Sequence, residues 1–280
     1  VRPKYSRPSD SLEHMLLTRL GQGREAEVFA WGEGHVLKLF WPEFSKADAG
    51  WEAGLIQQIW LMGLPSPKVE DVLETDGRWG IVLERVEGIP LTQYIESDLT
   101  RMHFAAQMLG VLHRQIHARP AAQLPSQRQK LVRSLETSPL SEPEKELLLA
   151  HLAALPDGTS LCHGDFHPEN VLVNERGIQV IDWPNATCGN PVADVARSAL
   201  LILHSVLPDD LPARDQILQN RERFFQEYLE HYQQGWGLEV ERQLETWMPI
   251  VAAARLREGI EEEKAVLMGL ITQSLHRTGS

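Results

Sequence analysis

The feature that most restricts the fold of this 280-residue chain is a change of period near residue 85. Before that point apolar residues come in short runs separated by glycine turns. After it they recur every three or four positions. Strands collected first and helices afterwards describe an α+β protein with a strand-rich N-terminal part and a helical C-terminal part. Residues 12–20, 27–31 and 35–41 read as strands, with Gly21-Gln22-Gly23 breaking the first and Gly32-Glu33-Gly34 joining the other two as a hairpin. Residues 46–62 carry Trp51, Leu55, Ile59 and Met62 at helical steps, and Pro65 ends the helix. A second strand pair, 69–73 and 79–84, turns about Asp76-Gly77. Beyond Leu91 the pattern predicts helices over 99–117, over 141–154 behind a Ser141/Glu144 capping box, and from about Val192 onward. Breaks fall near 208–212 and 235–237. One hairpin interrupts this half, with 171–173 and 178–181 flanking the turn 174–177. Residues 1–85 and 86–280 are therefore read as two parts.

Composition removes several classes of function. Hydrophobic residues at 42% and charged ones at 24% are ordinary for a globular chain with a core. A net charge of −12 disfavours nucleic acid as a partner. Cys162 and Cys188 are too few for a disulfide framework, which favours a reduced, cytoplasmic setting. No apolar run reaches the ~18 residues that would span a membrane, and the first residues lack the hydrophobic stretch of a signal peptide.

The chemistry concentrates in His163-Gly164-Asp165-Phe166-His167-Pro168-Glu169-Asn170, followed by Ile181-Asp182-Trp183. Phosphoryl transfer needs a carboxylate near the attacking hydroxyl, oxygen ligands for Mg²⁺, and positive charge on the nucleotide phosphates. Asp165 and Asn170, five apart on a tight loop, could provide the carboxylate and one metal ligand. The hairpin then brings the chain back so that Asp182 can provide another.

This segment resembles the catalytic signature of the aminoglycoside-phosphotransferase and choline-kinase-like family, relatives of the protein kinases. The resemblance implies a bilobal, kinase-like fold with an N-lobe over 1–85 and a helical C-lobe over 86–280. It implies Asp165 as the catalytic residue, Asn170 and Asp182 as metal ligands, and His163 and Asp194 as structural support. Asp194 lies in Gly189-Asn190-Pro191-Val192-Ala193-Asp194, whose acidic residue would buttress the catalytic loop. Upstream, Gly21, Gly23 and Val28 match a glycine-rich phosphate loop, with Ala26 in place of its third glycine. Lys38 matches the phosphate-binding lysine and Glu52 its helix partner. Glu84 and Val86 match the adenine-binding hinge. The implied reaction moves the γ-phosphate of ATP or GTP to a hydroxyl of a small acceptor, with Mg²⁺ or Mn²⁺.

Other readings use some of the same residues. His163, Asp165 and His167 have metal-ligand spacing, as in a hydrolase, and His113 and His117 could join them. A pseudokinase or a protein-directed kinase is also compatible with the motifs. Only twelve residues separate Asp182 from Asp194, which leaves little chain for docking a peptide and favours a small acceptor. The net charge is −3 through residue 86 and −9 after it, which favours a cationic acceptor. Glu258, Glu261, Glu262 and Glu263 beside Arg255 and Arg257 read chiefly as a solvated helix face. Trp183 and Trp247 read as core, with a pocket role as the alternative.

Overall fold

Where Lys38 and Glu52 stand is decided by how the first strands pair. The computed structural model describes residues 18–175, 177–207, 209, 214–234 and 240–278. The start of the strand read over 12–20 and the breaks near 208–212 and 235–237 lie largely outside them. Two compact units divide at residue 87. The fold is mixed α+β, with a strand-rich N-terminal region and a helical C-terminal one.

In the N-terminal unit β1 (Arg19–Gln22), β2 (Ala26–Ala30), β3 (His35–Phe40), β4 (Val69–Thr75) and β5 (Arg78–Glu84) form one antiparallel sheet in the order β1-β2-β3-β5-β4. The strand β1 continues through Gln22, so Gly21 lies inside the ladder and the turn begins only at Gly23. Val28 pairs with Lys38, and Lys38 with Ile81, so these three side chains leave the same face of the sheet. The opposite face carries the buried cluster of Leu37, Leu39 and Val82, flanked by Phe29, Trp31 and Leu73. Gly80 sits among them because a Cβ there would lie 2.8 Å from Leu37 Cδ1 and 2.9 Å from the Lys38 carbonyl. The helix α1 (Lys46–Leu61) starts with a reciprocal cap: Ser45 accepts from the Asp48 amide while Asp48 accepts from Ser45. It buries Ala49, Glu52, Ala53, Ile56 and Ile59 along one face.

The C-terminal unit begins with β6 (Ile89–Pro90) and α2 (Leu91–Glu96). A single 3₁₀ turn, Leu99–Arg101, precedes α3 (Met102–His117). Then come α4 (Gln127–Glu136), α5 (Glu142–Ala154), β7 (Ser160–Cys162), β8 (Val171–Asn174), β9 (Gly177–Val180), β10 (Thr187–Gly189) and α6 (Pro191–His204). The chain ends in α7 (Arg214–Gln233), α8 (Val240–Leu256) and α9 (Glu261–Thr278). The capping box of α5 is present, with the Ser141 amide and hydroxyl both donating to Glu144. The hairpin β8–β9 pairs Val171 with Val180 and adds β6 on its outer edge. The short strands β7 and β10 pair antiparallel and tie the two ends of the 160–190 segment together. Trp183 and Trp247 are core residues, 0% and 2% exposed. No helix among the described residues is long and apolar enough to cross a membrane.

Candidate active site

Asn170 and Asp182 are brought together by strand register. Val171 opposes Val180, and the ladder extends one step further because the Ile181 amide donates to the Asn170 carbonyl at 3.0 Å. Asp182 therefore leaves the hairpin beside Asn170, at the end where the loop 163–170 enters. Its backbone is left-handed, with φ of 63°, an unusual state for a residue other than glycine. The Asn170 amide nitrogen donates to the Asp165 carbonyl at 2.9 Å and lies 3.2 Å from His167 Nε2. That fixes the side chain so that its nitrogen faces the loop and its oxygen the other way. Two hard oxygens on one hairpin end, one of them a carboxylate, suit Mg²⁺ or Mn²⁺ better than a softer ion.

The loop itself is held from below by Asp194 at the start of α6. One carboxylate oxygen, Oδ2, accepts from the His163 amide at 2.6 Å and lies 3.1 Å from Nε2 of both His113 and His117; Oδ1 accepts from the Gly164 amide at 2.8 Å. The far nitrogens of the two histidines are occupied as well. His113 Nδ1 meets the Tyr228 hydroxyl and His117 Nδ1 the Tyr232 hydroxyl, each at 2.7 Å. All of these side chains are buried. Burial alone would raise the Asp194 carboxyl, but the two histidine hydrogen bonds hold it well below the usual range. Burial and the neighbouring His117 push His113 down to about 3 against the pull of Asp194, so it stays neutral at physiological pH.

The His163 ring is likewise engaged at both nitrogens. Its Nδ1 accepts from the Asp165 amide at 3.2 Å, and Nε2 donates to the Ile181 carbonyl at 3.1 Å. The imidazole thereby links the loop to the strand end that carries Asp182. Its ring also packs against Trp183, with centroids 4.4 Å apart. Among the described residues, the one grouping of three or more possible metal ligands is His113, His117 and Asp194. It contains none of His163, Asp165 and His167, so the metal set that a hydrolase would need is not assembled around that motif.

Asp165 is the half-buried tip of this arrangement, its side chain 20% exposed. Arg197, one helical turn after Asp194 on α6, donates to Asp165 Oδ1 at 2.9 Å. His167 Nε2 lies 3.7 Å from Oδ2. Burial raises the Asp165 carboxyl, but His167 and Arg197 together bring it well below the ordinary value. It is ionised at any physiological pH. Nearby, burial and then Arg197 lower the Lys130 ammonium to about 8, while its Nζ donates to Asn185 Oδ1 at 2.6 Å.

In the N-terminal unit Lys38 Nζ donates to Glu52 Oε1 at 2.7 Å, with Glu52 3% exposed. The turn of the glycine loop is closed by the Gly23 amide donating to the Ala26 carbonyl at 2.8 Å. Ala26, where the glycine pattern is broken, is buried and pairs with Phe40. A Cβ at Gly21 would meet no atom within 4 Å, so the protein's own packing does not demand glycine there. Glu84 closes β5, its amide donating to the Lys68 carbonyl at 2.9 Å; Val86 follows it two residues on, at the end of the unit.

Sequence reasoning missed Arg197 and misread the acidic cluster. Arg197 had one usable signal, its position three residues after Asp194 and hence on the same helix face. The solvated face expected over 255–263 holds for Arg257, Glu258, Glu261 and Glu262, which are exposed, although Glu258 also pairs with Arg197 and Arg255. Arg255 and Glu263 are instead 6% and 4% exposed and form a two-pronged ion pair at 2.5 and 2.7 Å.

Comparison with known proteins places these features in context. The profile of the phosphotransferase enzyme family matches residues 17–250. No curated protein matches the chain. Among solved structures, a thermostable mutant of the aminoglycoside phosphotransferase APH(4)-Ia, in a ternary complex with AMP-PNP and hygromycin B, is similar with a TM-score of 0.64 at 19% identity. That match covers 96% of this chain and 97% of the other. An amicoumacin kinase in complex with AMP-PNP and Ca²⁺ is similar with a TM-score of 0.60 at 17% identity, over 94% and 88% of the two chains. A choline/ethanolamine kinase family protein from Mesorhizobium loti gives 0.57 at 15%, over 93% and 87%. At these identities the likeness is one of fold.

Proposed function

Because the chain belongs to the phosphotransferase enzyme family, we propose that it transfers the γ-phosphate of ATP or GTP to a hydroxyl group of a small acceptor. The observation that carries this reading is the strand register that sets Asn170 beside Asp182, with the Asp165 loop anchored on Asp194 next to them. In this assignment Asn170 and Asp182 hold the divalent cation, which neutralises charge on the phosphates when bound. Asp165 orients the acceptor hydroxyl and takes its proton late, a role compatible with a weakly basic carboxylate because the transition state is loose. Lys38, fixed by Glu52, serves the phosphates, and Gly21 and Gly23 leave room for them beside the backbone. Glu84 and Val86 serve the adenine edge through their main chain.

A small acceptor is supported by the short span after Asp182. Its residues are already committed: Asn185 to Lys130, β10 to β7, and Asn190 to capping α6. Little chain remains for an activation segment that would dock a peptide. The acidic surplus favours a cationic acceptor only through carboxylates other than Glu258 and Glu263, since both are neutralised by arginines. Retention of Lys38, Glu52, Asp165, Asn170 and Asp182 argues for turnover rather than for a pseudokinase.

The test is nucleotide consumption against a panel of hydroxylated metabolites and antibiotics, with Mg²⁺ or Mn²⁺ and without zinc. Asp165→Asn should bind Mg·ADP normally and lose turnover by ~10²-fold or more, whereas Asp182→Ala should lose Mg·ADP. The reverse pattern in binding titrations would refute these roles. Zinc bound stoichiometrically by His163 and His167 would revive the hydrolase.

A further inference from the structure

The catalytic carboxylate is the end of a chain of charges that runs into the last helices. Arg197 Nη2 donates to Asp165 Oδ1 at 2.9 Å, and its Nη1 donates to Glu258 Oε1 at 2.7 Å. The other oxygen of Glu258 accepts from Arg255 Nη1 at 3.0 Å. Arg255 is in turn gripped by both oxygens of Glu263. Five side chains of alternating sign thus link the loop 163–170, α6, the end of α8 and the start of α9. The turn between α8 and α9 makes the far end possible. Gly259 adopts φ of 69° there, which reverses the chain and puts Glu258 and Glu263 on either side of Arg255.

We propose that Arg197 is a positioning residue for Asp165, and that Glu258, Arg255 and Glu263 are the brace that holds it. The inference rests on the phosphotransferase reading given above. Arg197 occupies Oδ1 and fixes the plane of the carboxylate, so that Oδ2, which has His167 Nε2 3.7 Å away, is the oxygen turned to the acceptor hydroxyl. A planar fork held by two carboxylates has one orientation, whereas an ammonium in its place would be free to rotate. Arg197 takes no part in bond making. Asp194 and Arg197, one turn apart, divide the work on the loop: the first holds its backbone and the second its reacting side chain.

Net stability is a weak account of this arrangement on its own. A buried ion pair repays its desolvation only when the remaining donors are satisfied, and the buried Arg197 Nε meets no acceptor among the described residues.

The test compares wild type with Arg197→Met, Arg197→Lys, Glu258→Gln, the Met/Gln double variant and Asp165→Asn. Turnover of MgATP is followed with water or the first phosphorylated panel compound as acceptor, and Mg·ADP affinity by titration. Arg197→Met should keep Mg·ADP affinity within about two-fold and lose kcat by ~10²-fold, the usual effect of misplacing a reacting group. Glu258→Gln, which touches Arg197 and not Asp165, should lose kcat by roughly ten-fold for the same reason. The double variant should be no slower than Arg197→Met, because both act through one chain. Arg197→Lys should recover part of the loss. Should Arg197→Met fail to fold, Glu258→Gln carries the test alone. Folded variants that match wild-type kcat while Asp165→Asn is inactive would overturn the brace and leave the phosphotransferase reading intact. If Asp165→Asn is as fast as wild type, that reading falls and the brace with it.

Discussion

Gly164 shows how little freedom the catalytic loop has. Its φ is 80°, and a Cβ would lie 2.5 Å from the Asn185 carbonyl oxygen and 2.9 Å from Asn185 Cβ. Only glycine satisfies both the left-handed backbone and the close approach. Gly164→Ala should cost roughly 1–3 kcal/mol of stability and displace Asp165 from its partners. It should be read as a lower melting temperature together with a lower kcat in the fraction that remains folded. Lys38 offers a contrasting case at the same scale. Lys38→Met leaves Glu52 buried beside a thioether, at a cost of about 3–5 kcal/mol, as well as weakening nucleotide binding. Glu52→Gln should be milder in stability, because the amide can still accept from the lysine. Thermal melts and Mg·ADP titrations on the two variants separate these effects.

Among the elements, the crossing of α3 and α7 depends on Gly110. A Cβ there would collide with the Tyr228 carbonyl oxygen and lie 2.9 Å from the Tyr232 amide, so the two helices meet backbone to backbone. Gly110→Ala must separate them, and the first bonds to lengthen are those from the two tyrosines to His113 and His117. A loss of ~1–3 kcal/mol is expected, with a change in the near-ultraviolet signal of the tyrosines. Helices of this kind were legible where their apolar period was clean, as in α3, or their caps explicit, as in α5. The helix α4 was not, because Gln127–Glu136 is mostly polar and only its Ser126 cap marks it. The strands β7 and β10 are three residues each, too short to show a period. The site divides in the same way. Asp165, Asn170 and Asp182 stand close together in sequence and carry a recognisable spacing. Arg197, Glu258 and Arg255 reach Asp165 only through the packing of three helices, and no local pattern marks which charges will pair across them.

For the whole molecule, the buried network predicts how stability varies with pH. His113 in the unfolded chain takes up a proton near 6.5, but in the folded protein only near 3. Its contribution is therefore complete above pH 6.5 and drains away as the pH falls toward 3. Asp194, lowered from 3.8 by the histidines, adds a loss of the same sign at the acid end. On the alkaline side burial raises Cys162 above 9 and Tyr228 above 10. Their contributions are complete below those values and are lost as the pH rises past them. The melting temperature should form a plateau from about pH 6.5 to 8, with the acid flank flattened in His113→Gln. Above that plateau Lys130, lowered from 10.5 to about 8, offsets part of the alkaline loss. A plateau centred near the pI of about 5.4 would contradict this assignment.

The anchoring of the 163–164 segment on Asp194 has a further consequence for dynamics. The amides of His163 and Gly164 point inward to a carboxylate that is 1% exposed, beneath a layer of histidine and tyrosine rings. Solvent cannot reach them through local fraying, because releasing either one would open the centre of the helical unit. In deuterated buffer these two protons should persist as long as those in the middle of α3, and exchange only through global opening. A segment without regular secondary structure would then rank among the slowest to take up deuterium.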